Sequence, residues 1–78
     1  MLPQELLIVI LQTLVNNPSD VSVERSVDDM GVLLRVKLNK SDAGLVIGRS
    51  GQTASSIRYL IRIIGLKNKE KISVKIET

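Results

Sequence analysis

Two different spacings of apolar residues alternate along the chain. Apolar and polar residues alternate one for one in three short stretches, which is typical of strands with one buried face. In the other stretches apolar residues recur every three or four positions, which predicts amphipathic helices. The predicted elements are a helix at 4–16, strands at 21–26 and 32–38, a two-turn helix before Gly48, a helix at 52–64 and a strand at 72–77.

The apolar faces of the two long helices predict which side chains enter the core. In the first helix these are Leu7, Ile10, Leu11, Leu14 and Val15, and in the last they are Ala54, Ile57, Leu60, Ile61 and Ile64. Leu6, Ile8 and Val9 widen the apolar surface of the first helix beyond one stripe, which indicates a dimer contact.

Polar and glycine residues mark the turns and helix ends. Residues 28–31 predict a four-residue turn that joins the first two strands into an antiparallel hairpin. Ser41 is the expected N-cap of the short helix, and Gly65 is the expected left-handed cap that ends the last one. Asp28 and Asp29 could also be a metal site or an acid–base pair, but the chain has no histidine or cysteine to complete one, which favours the turn.

Two glycines bracket a basic and a hydroxyl residue at positions 48–51 (Gly48, Arg49, Ser50 and Gly51), and a helix pattern follows at once. Glycines lack a Cβ and allow another backbone to approach closely. The unpaired N–H groups at a helix start favour an anion such as phosphate, and Arg49 adds a fixed positive charge. A tight turn without a ligand is the alternative interpretation.

The sequence V-I-G-R-S-G at 46–51 resembles the V-I-G-x-x-G signature of KH domains, whose loop clamps a few nucleotides of single-stranded RNA or DNA. The surrounding order of strand, short helix, long helix and strand strengthens the resemblance. KH domains usually carry a larger aliphatic residue at the position of Ala54, so we expect a shallower contact beneath the loop.

The order α-β-β-α-α-β resembles the type II, or prokaryotic, KH fold over essentially all of residues 1–78, which form one α+β domain. Residues 1–30 supply the first helix and strand, and residues 31–78 supply the strand–helix–loop–helix–strand core. We expect a three-stranded mixed sheet with 32–38 in the centre, antiparallel to 21–26 and parallel to 72–77, and three helices on one face. The open face should carry Ser22, Glu24, Leu33, Arg35, Lys37, Ser73 and Lys75.

Charge is distributed unevenly between the two parts of the domain. Residues 1–30 hold one basic and five acidic residues, a net −4, whereas residues 31–78 hold ten basic and three acidic residues, a net +7. The basic part contains the glycine loop, which fits a polyanionic partner. Lysines near chain ends can also be simply solubilising, so charge alone leaves the partner open.

A KH-like groove implies a set of contacts around the loop. Phosphates would lie on residues 48–51, and bases would lie over an aliphatic surface made by Gly44, Leu45, Ile47, Ala54 and a central-strand residue, Val36 or Leu38. The backbone of the central strand is expected to pair with base edges. Arg58 and Arg62 could contact nucleic acid or form a solvated face. Tyr59 is the one aromatic residue, so stacking platforms are poorly supplied.

Three classes of function stay in view. A nucleic-acid-binding module leads, and a protein-interaction domain that acts through another KH domain is second. An enzyme is disfavoured because the sequence offers no nucleophile–base pair or metal set. The resemblance to small stand-alone bacterial KH proteins of the KhpA type implies binding of single-stranded RNA, a role as RNA chaperone, and dimers with itself or with a larger Jag-type KH protein linked to cell shape. We expect a cytoplasmic protein without cofactor, metal or membrane segment.

Overall fold

The computed structural model describes residues 1–77. The elements are α1 (Pro3–Leu14), β1 (Ser22–Asp28), β2 (Gly31–Lys37), α2 (Ala43–Ile47), α3 (Gln52–Lys67) and β3 (Ile72–Glu77). Short 3₁₀ turns at Pro18–Asp20, Lys40–Asp42 and Arg49–Gly51 precede β1, α2 and α3. The α-β-β-α-α-β order predicted from the apolar spacing is confirmed.

The three strands form one mixed sheet in the order β1-β2-β3. β2 runs antiparallel to β1, with Ser22 opposite Lys37 at one end and Asp28 opposite Gly31 at the other. β2 runs parallel to β3, with Val32 opposite Ile72. The parallel pair is joined through α2 and α3, as a crossover between parallel strands requires.

The core lies between one face of the sheet and the helices. Its buried members are Leu7, Leu11, Val15, Val32, Leu34, Val36, Val46, Ile57, Ile61, Ile72 and Val74. The opposite face of the sheet carries Ser22, Glu24, Arg35, Lys37, Ser73 and Lys75, all exposed, with Leu33 half-buried. One apolar and one polar face follow from the strict alternation along β2 and β3. The α+β class and the arrangement of helices on one face are therefore confirmed.

The first helix ends two residues earlier than the predicted Asn16. α1 stops at Leu14, and Val15 turns its backbone to an extended conformation while its side chain stays buried. The N–H groups of Asn16 and Asn17 donate to the Asp42 carboxylate at 3.2 and 3.0 Å. These long-range hydrogen bonds replace those that a further helical turn would have made.

One turn prediction is confirmed and one cap prediction is wrong. Residues 28–31 form the four-residue turn of the hairpin, in which Asp28 and Gly31 pair and the Asp28 carboxylate accepts the N–H of Met30 at 2.7 Å. The cap before α2 is Asn39 rather than Ser41. The Asn39 side chain accepts from both the N–H and the hydroxyl of Ser41, which places Ser41 inside the 3₁₀ turn.

Two apolar residues predicted to lie in the core are exposed. Leu14 on α1 and Leu60 on α3 lie at the border of the helical layer, as do Val9 and Ile63. The remaining members of the two predicted faces are buried or half-buried. The helical spacing identified the apolar side of each helix correctly, but the neighbouring helix does not reach its outer edge.

Gly65 does not cap the last helix. α3 continues to Lys67, and Lys69, at φ 60°, is the residue that adopts the left-handed conformation. Gly65 is buried, and a Cβ placed on it would lie 2.7 Å from two side-chain carbons of Ile72. Its carbonyl also accepts the N–H of Glu70 at 2.8 Å. The glycine therefore lets the end of α3 pack closely against the start of β3.

We expect Gly65→Ala to lower the free energy of unfolding by about 1–2 kcal/mol, because the added methyl must displace Ile72. Gly44→Ala is the matched control, since Gly44 is also helical and a Cβ there meets no atom within 4 Å. That variant should be unchanged or up to about 1 kcal/mol more stable. Urea denaturation followed by circular dichroism measures both, and equal effects of the two substitutions would contradict the packing role of Gly65.

Candidate nucleic-acid interface

The loop at residues 48–51 is held in an unusual backbone conformation. Gly48, Ser50 and Gly51 all have positive φ, at 74°, 56° and 75°. Only glycine adopts such angles freely, and serine does so at a cost. The loop therefore turns sharply between α2 and α3 and projects away from the helices.

The two glycines are needed for different reasons. A Cβ on Gly48 would clash with the hydroxyl of Thr53 and lie 2.7 Å from its Cβ, so the side chain of Thr53 fills the space beneath this residue. A Cβ on Gly51 would meet no atom within 4 Å. Gly48 thus packs the loop against the first turn of α3, whereas Gly51 leaves open space above the backbone. A second backbone can approach the loop through that space.

The backbone of the loop offers unpaired donors. The N–H of Gly48 donates to the carbonyl of Gly44 at 2.9 Å, and that of Gly51 donates to Gly48 at 3.3 Å. Among residues 1–77, no hydrogen bond is found from the N–H groups of Arg49 and Ser50. No side chain caps the start of α3 either. Neighbouring free N–H groups at a helix start form a concave site for an anion.

The side chains of the loop add a positive charge without blocking those donors. Arg49 and Ser50 are both exposed. Arg49 takes part in neither of the ion pairs found in the part of the chain that the structure describes. Its guanidinium keeps five donors free in the planar arrangement that matches phosphate oxygens.

An apolar strip lies beside the loop on α2. Val46 is fully buried and fixes the helix to the core, while Leu45 and Ile47 keep 45% and 37% of their surface exposed. Gly44 is exposed and has no atom within 4 Å of a Cβ position. Gly44, Leu45 and Ile47, which we call the α2 strip, are therefore the exposed residues of α2 directly before the glycine loop.

Two residues predicted for this surface lie beneath it. Ala54 is 3% exposed and Val36 is fully buried, so both support the groove from below, and a base could not rest on Val36. Leu38, the other candidate from the central strand, is half-buried. The small side chain of Ala54 lies in the first turn of α3, directly after the loop.

The expectation that the central strand pairs with base edges is wrong. β2 is hydrogen-bonded to β1 on one side and to β3 on the other, which occupies its backbone groups. β3 pairs with β2 alone, so its other edge is open within residues 1–77. Arg58 on α3 lies against this strand, and its Nε donates to the carbonyl of Val74 at 3.2 Å. Arg62 and Tyr59 are exposed on the same helix.

Asp42 is the structural residue of this region that sequence reasoning missed. It is 1% exposed, and it accepts the N–H groups of Asn16 and Asn17 and the side-chain amide of Asn17. These bonds tie the end of α1 to the start of α2. No local signal marks Asp42, because its partners lie about 25 positions earlier in the chain. The free edge of β3, in contrast, follows from the sheet order that the sequence predicted.

Residues 1–77 contain no group of three or more histidine, cysteine, aspartate or glutamate side chains placed to hold a metal ion. None of the helices within them is both long enough and apolar enough to span a bilayer.

Comparison with known proteins places this geometry in a family. The family model described as KhpA/KhpB, KH domain, matches residues 4–76. The protein named RNA-binding protein KhpA from Bacillus subtilis is 36% identical over 94% of this chain and 90% of its own length. The protein of the same name from Listeria monocytogenes is also 36% identical, over 94% of this chain and 96% of its own.

A solved structure shares the fold at low identity. The crystal structure of a point variant of Aquifex aeolicus Era bound to GDP.AlF4- superposes with a TM-score of 0.58 and 15% identity. The match covers 95% of this chain and 29% of that one, so the similarity concerns one part of the larger protein and shows the fold alone. With a family model over nearly the whole length and relatives above 30% identity, the chain belongs to the KhpA/KhpB family of KH-domain proteins.

Proposed function

We propose that this protein binds single-stranded RNA through the glycine loop at residues 48–51. The observation that carries the proposal is the exposed loop itself, in which the N–H groups of Arg49 and Ser50 have no partner within residues 1–77 and a cationic side chain stands beside them. The names of the relatives, RNA-binding protein KhpA, support the same ligand.

In the proposed complex, phosphate oxygens accept from the free N–H groups and from the Arg49 guanidinium. Gly51 has open space above it, so the sugar–phosphate backbone can approach closely. The bases leave the loop in the direction of the α2 strip and rest on Leu45 and Ile47, which are the exposed apolar side chains there. A duplex does not fit this scheme, because its bases are paired and cannot rest on the strip.

Base edges in this scheme face the open edge of β3 rather than β2. Arg58 already contacts that strand through the carbonyl of Val74, so an incoming base either pairs beside Arg58 or replaces its hydrogen bond. If the base replaces that hydrogen bond, the released Arg58 guanidinium becomes a further cation that can contact an RNA phosphate. Arg58 therefore belongs to the proposed interface, with the loop, the α2 strip and the underlying Ala54.

We expect the affinity for RNA to be low and the preference for particular bases to be small. Its contacts are mostly to the backbone, and the chain has one aromatic residue for stacking. Such binding suits an RNA chaperone or a post-transcriptional regulator in the cytoplasm, and we include that role and location in the proposal.

The experiment that tests this function is a fluorescence anisotropy titration with a labelled single-stranded RNA of about eight nucleotides, long enough for the roughly four that such a groove holds. We expect tighter binding to the single strand than to its duplex. A plot of log affinity against log salt should have a slope of about −0.7 for each phosphate contacted. Amide NMR shifts should centre on residues 44–51. Equal affinity for the duplex, or shifts confined to other residues, would contradict the proposal.

Protein association is the second candidate function, and one observation favours it. Val9 and Leu14 on α1 and Leu60 and Ile63 on α3 are exposed apolar residues of the two long helices. A second copy, or a Jag-type KH partner, would cover this surface by the burial that drives most association. Sedimentation velocity over a range of concentrations tests the homodimer. A monomer at every concentration would exclude the homodimer and leave association with a different KH protein.

A further inference from the structure

A cavity of about 330 Å³ lies at the end of the sheet where β2 and β3 begin. Its floor is apolar and consists of Val32, Leu34 and Ile72, all of which belong to the core. Pro3 from the start of α1 forms a further part of the wall. The helical layer thus leaves a recess over the inner sheet face at this end, where Val32, Leu34 and Ile72 keep 7%, 1% and 5% of their surface exposed.

Three polar side chains, from Gln4, Arg25 and Glu70, converge on the cavity. Arg25 stands opposite Leu34 in the sheet register, a position on the inner face where the other strands carry aliphatic residues. Its Nη2 lies 2.6 Å from Oε2 of Glu70, and the two side chains are 44% and 31% exposed. A cavity with an apolar floor and a few convergent polar groups is typical of ligand sites.

The ion pair leaves donors unused at the rim. Only one nitrogen of the Arg25 guanidinium is engaged in a hydrogen bond within residues 1–77. A guanidinium can hold a carboxylate through two parallel hydrogen bonds. Arg25 can therefore donate to a second carboxylate, either beside Glu70 or in place of it. Lys69 and Lys71 flank Glu70 in the sequence and add positive charge on that side. The rim therefore complements an anionic group that is attached to an apolar one.

We propose that this cavity, which we call the Arg25 cavity, docks a segment of a partner polypeptide in which a large aliphatic side chain stands next to a carboxylate. The aliphatic group enters the recess lined by Val32, Leu34 and Ile72, and the carboxylate pairs with Arg25. The volume fits one such side chain and is small for a cofactor. No aromatic residue lines the cavity for base stacking, so RNA is a poor fit.

The Arg25 cavity is separate from the glycine loop. It lies where β2 begins, whereas the chain leaves the other end of β2, at Lys37, before it reaches α2 and the loop. The cavity and the loop share no lining residue. Binding at the Arg25 cavity is therefore independent of RNA binding at the loop, and an experiment can disprove either one without affecting the other.

N-acetyl-L-leucine is a suitable probe, because it carries an aliphatic side chain next to a carboxylate. We expect saturable NMR shifts at the amides of Arg25, Leu34 and Ile72 when it is added to the full-length protein. N-acetyl-L-leucinamide, which lacks the carboxylate, should bind at least about fivefold more weakly, because it cannot form the charged pair with Arg25. Saturable shifts around the glycine loop instead would overturn the proposal.

Arg25→Gln and Glu70→Gln form a matched pair of variants, since both break the same ion pair. Arg25→Gln removes the group that binds the carboxylate and should lower the affinity for N-acetyl-L-leucine by about fivefold or more. Glu70→Gln removes the competing carboxylate and should strengthen binding by about twofold or more. Melting temperatures should stay close to that of the parent protein in both, because exposed ion pairs contribute little stability.

The opposite signs make the test decisive. If both variants bind the probe more weakly to the same extent, the ion pair only maintains the shape of the cavity, and the proposal would be wrong. No saturable shift at any probe concentration would also overturn it. If the same amides shift with protein concentration in the absence of probe, a second copy of the chain occupies the cavity instead. RNA binding by the Arg25→Gln variant should match that of the parent protein in every case.

Discussion

Replacing both Arg49 and Ser50 with aspartate is expected to lower the affinity for single-stranded RNA by at least about tenfold, since two negative charges then stand where a phosphate must lie. Both side chains are exposed, and neither donates to nor accepts from another residue within 1–77. Aspartate also tolerates the left-handed backbone of Ser50 better than most residues do. The circular dichroism spectrum and the melting temperature should therefore stay close to those of the parent protein. Fluorescence anisotropy with the single-stranded RNA measures the loss.

The matched control changes the same residue types by the same charge on the other side of the molecule. Arg35→Asp with Ser26→Asp alters two exposed residues on β2 and β1, outside the proposed interface. If the loop binds the RNA, this control should retain most of the affinity, apart from the general loss that follows from a lower net charge. Equal losses in the two double variants would show that only the overall charge matters, and the loop would then have no special role.

Replacing Asp42 with alanine is expected to lower the free energy of unfolding by about 3 kcal/mol, the largest stability effect that we predict. The carboxylate is 1% exposed and accepts two backbone N–H groups and one side-chain amide. Its removal leaves these part-buried donors without their shared charged acceptor, and each unpaired buried group carries a penalty. Domains of this size are marginally stable, so the loss is a large share of the total.

Urea denaturation followed by circular dichroism gives this free energy, and Asp20→Ala is the control. Asp20 is an exposed aspartate close by, and its carboxylate accepts one side-chain hydrogen bond, from Asn39 at 3.0 Å. Its removal should cost less than about 1 kcal/mol, as is usual for exposed polar contacts. A loss below about 1 kcal/mol for Asp42→Ala would contradict the anchoring role of the carboxylate.

The loop could be predicted because its features are local. Two glycines three positions apart, a basic residue between them and a helix pattern after them all stand within one short stretch of the chain. The structure adds the distinction between Gly48, which packs on Thr53, and Gly51, which faces open space. That distinction depends on which way the first turn of α3 places its side chains, and the glycine pattern does not contain it.

The groove was predicted less well than the loop. Of the two central-strand residues predicted to contact bases, Val36 is buried and Leu38 is half-buried, because every second residue of a central strand under a helical layer faces the core. A contact between bases and the backbone of β2 conflicts with the central place of this strand in the sheet, since both of its edges are paired. The sequence allows Arg58 either a place on a solvated face or an RNA contact, and its hydrogen bond to Val74 depends on how α3 lies over β3.

The amino-acid sequence alone determined the order of the elements, the apolar side of each, the class of the sheet and the position of the glycine loop. Each of these follows from the spacing of apolar residues and from the backbone freedom of glycine, which act over a few neighbouring positions. Only the tertiary structure decided where α1 ends, that Gly65 lies inside α3, and that Leu14 and Leu60 stay exposed. These outcomes depend on contacts with Asp42, with Ile72 and between α1 and α3. Such contacts join residues far apart in the chain, so no local pattern contains them.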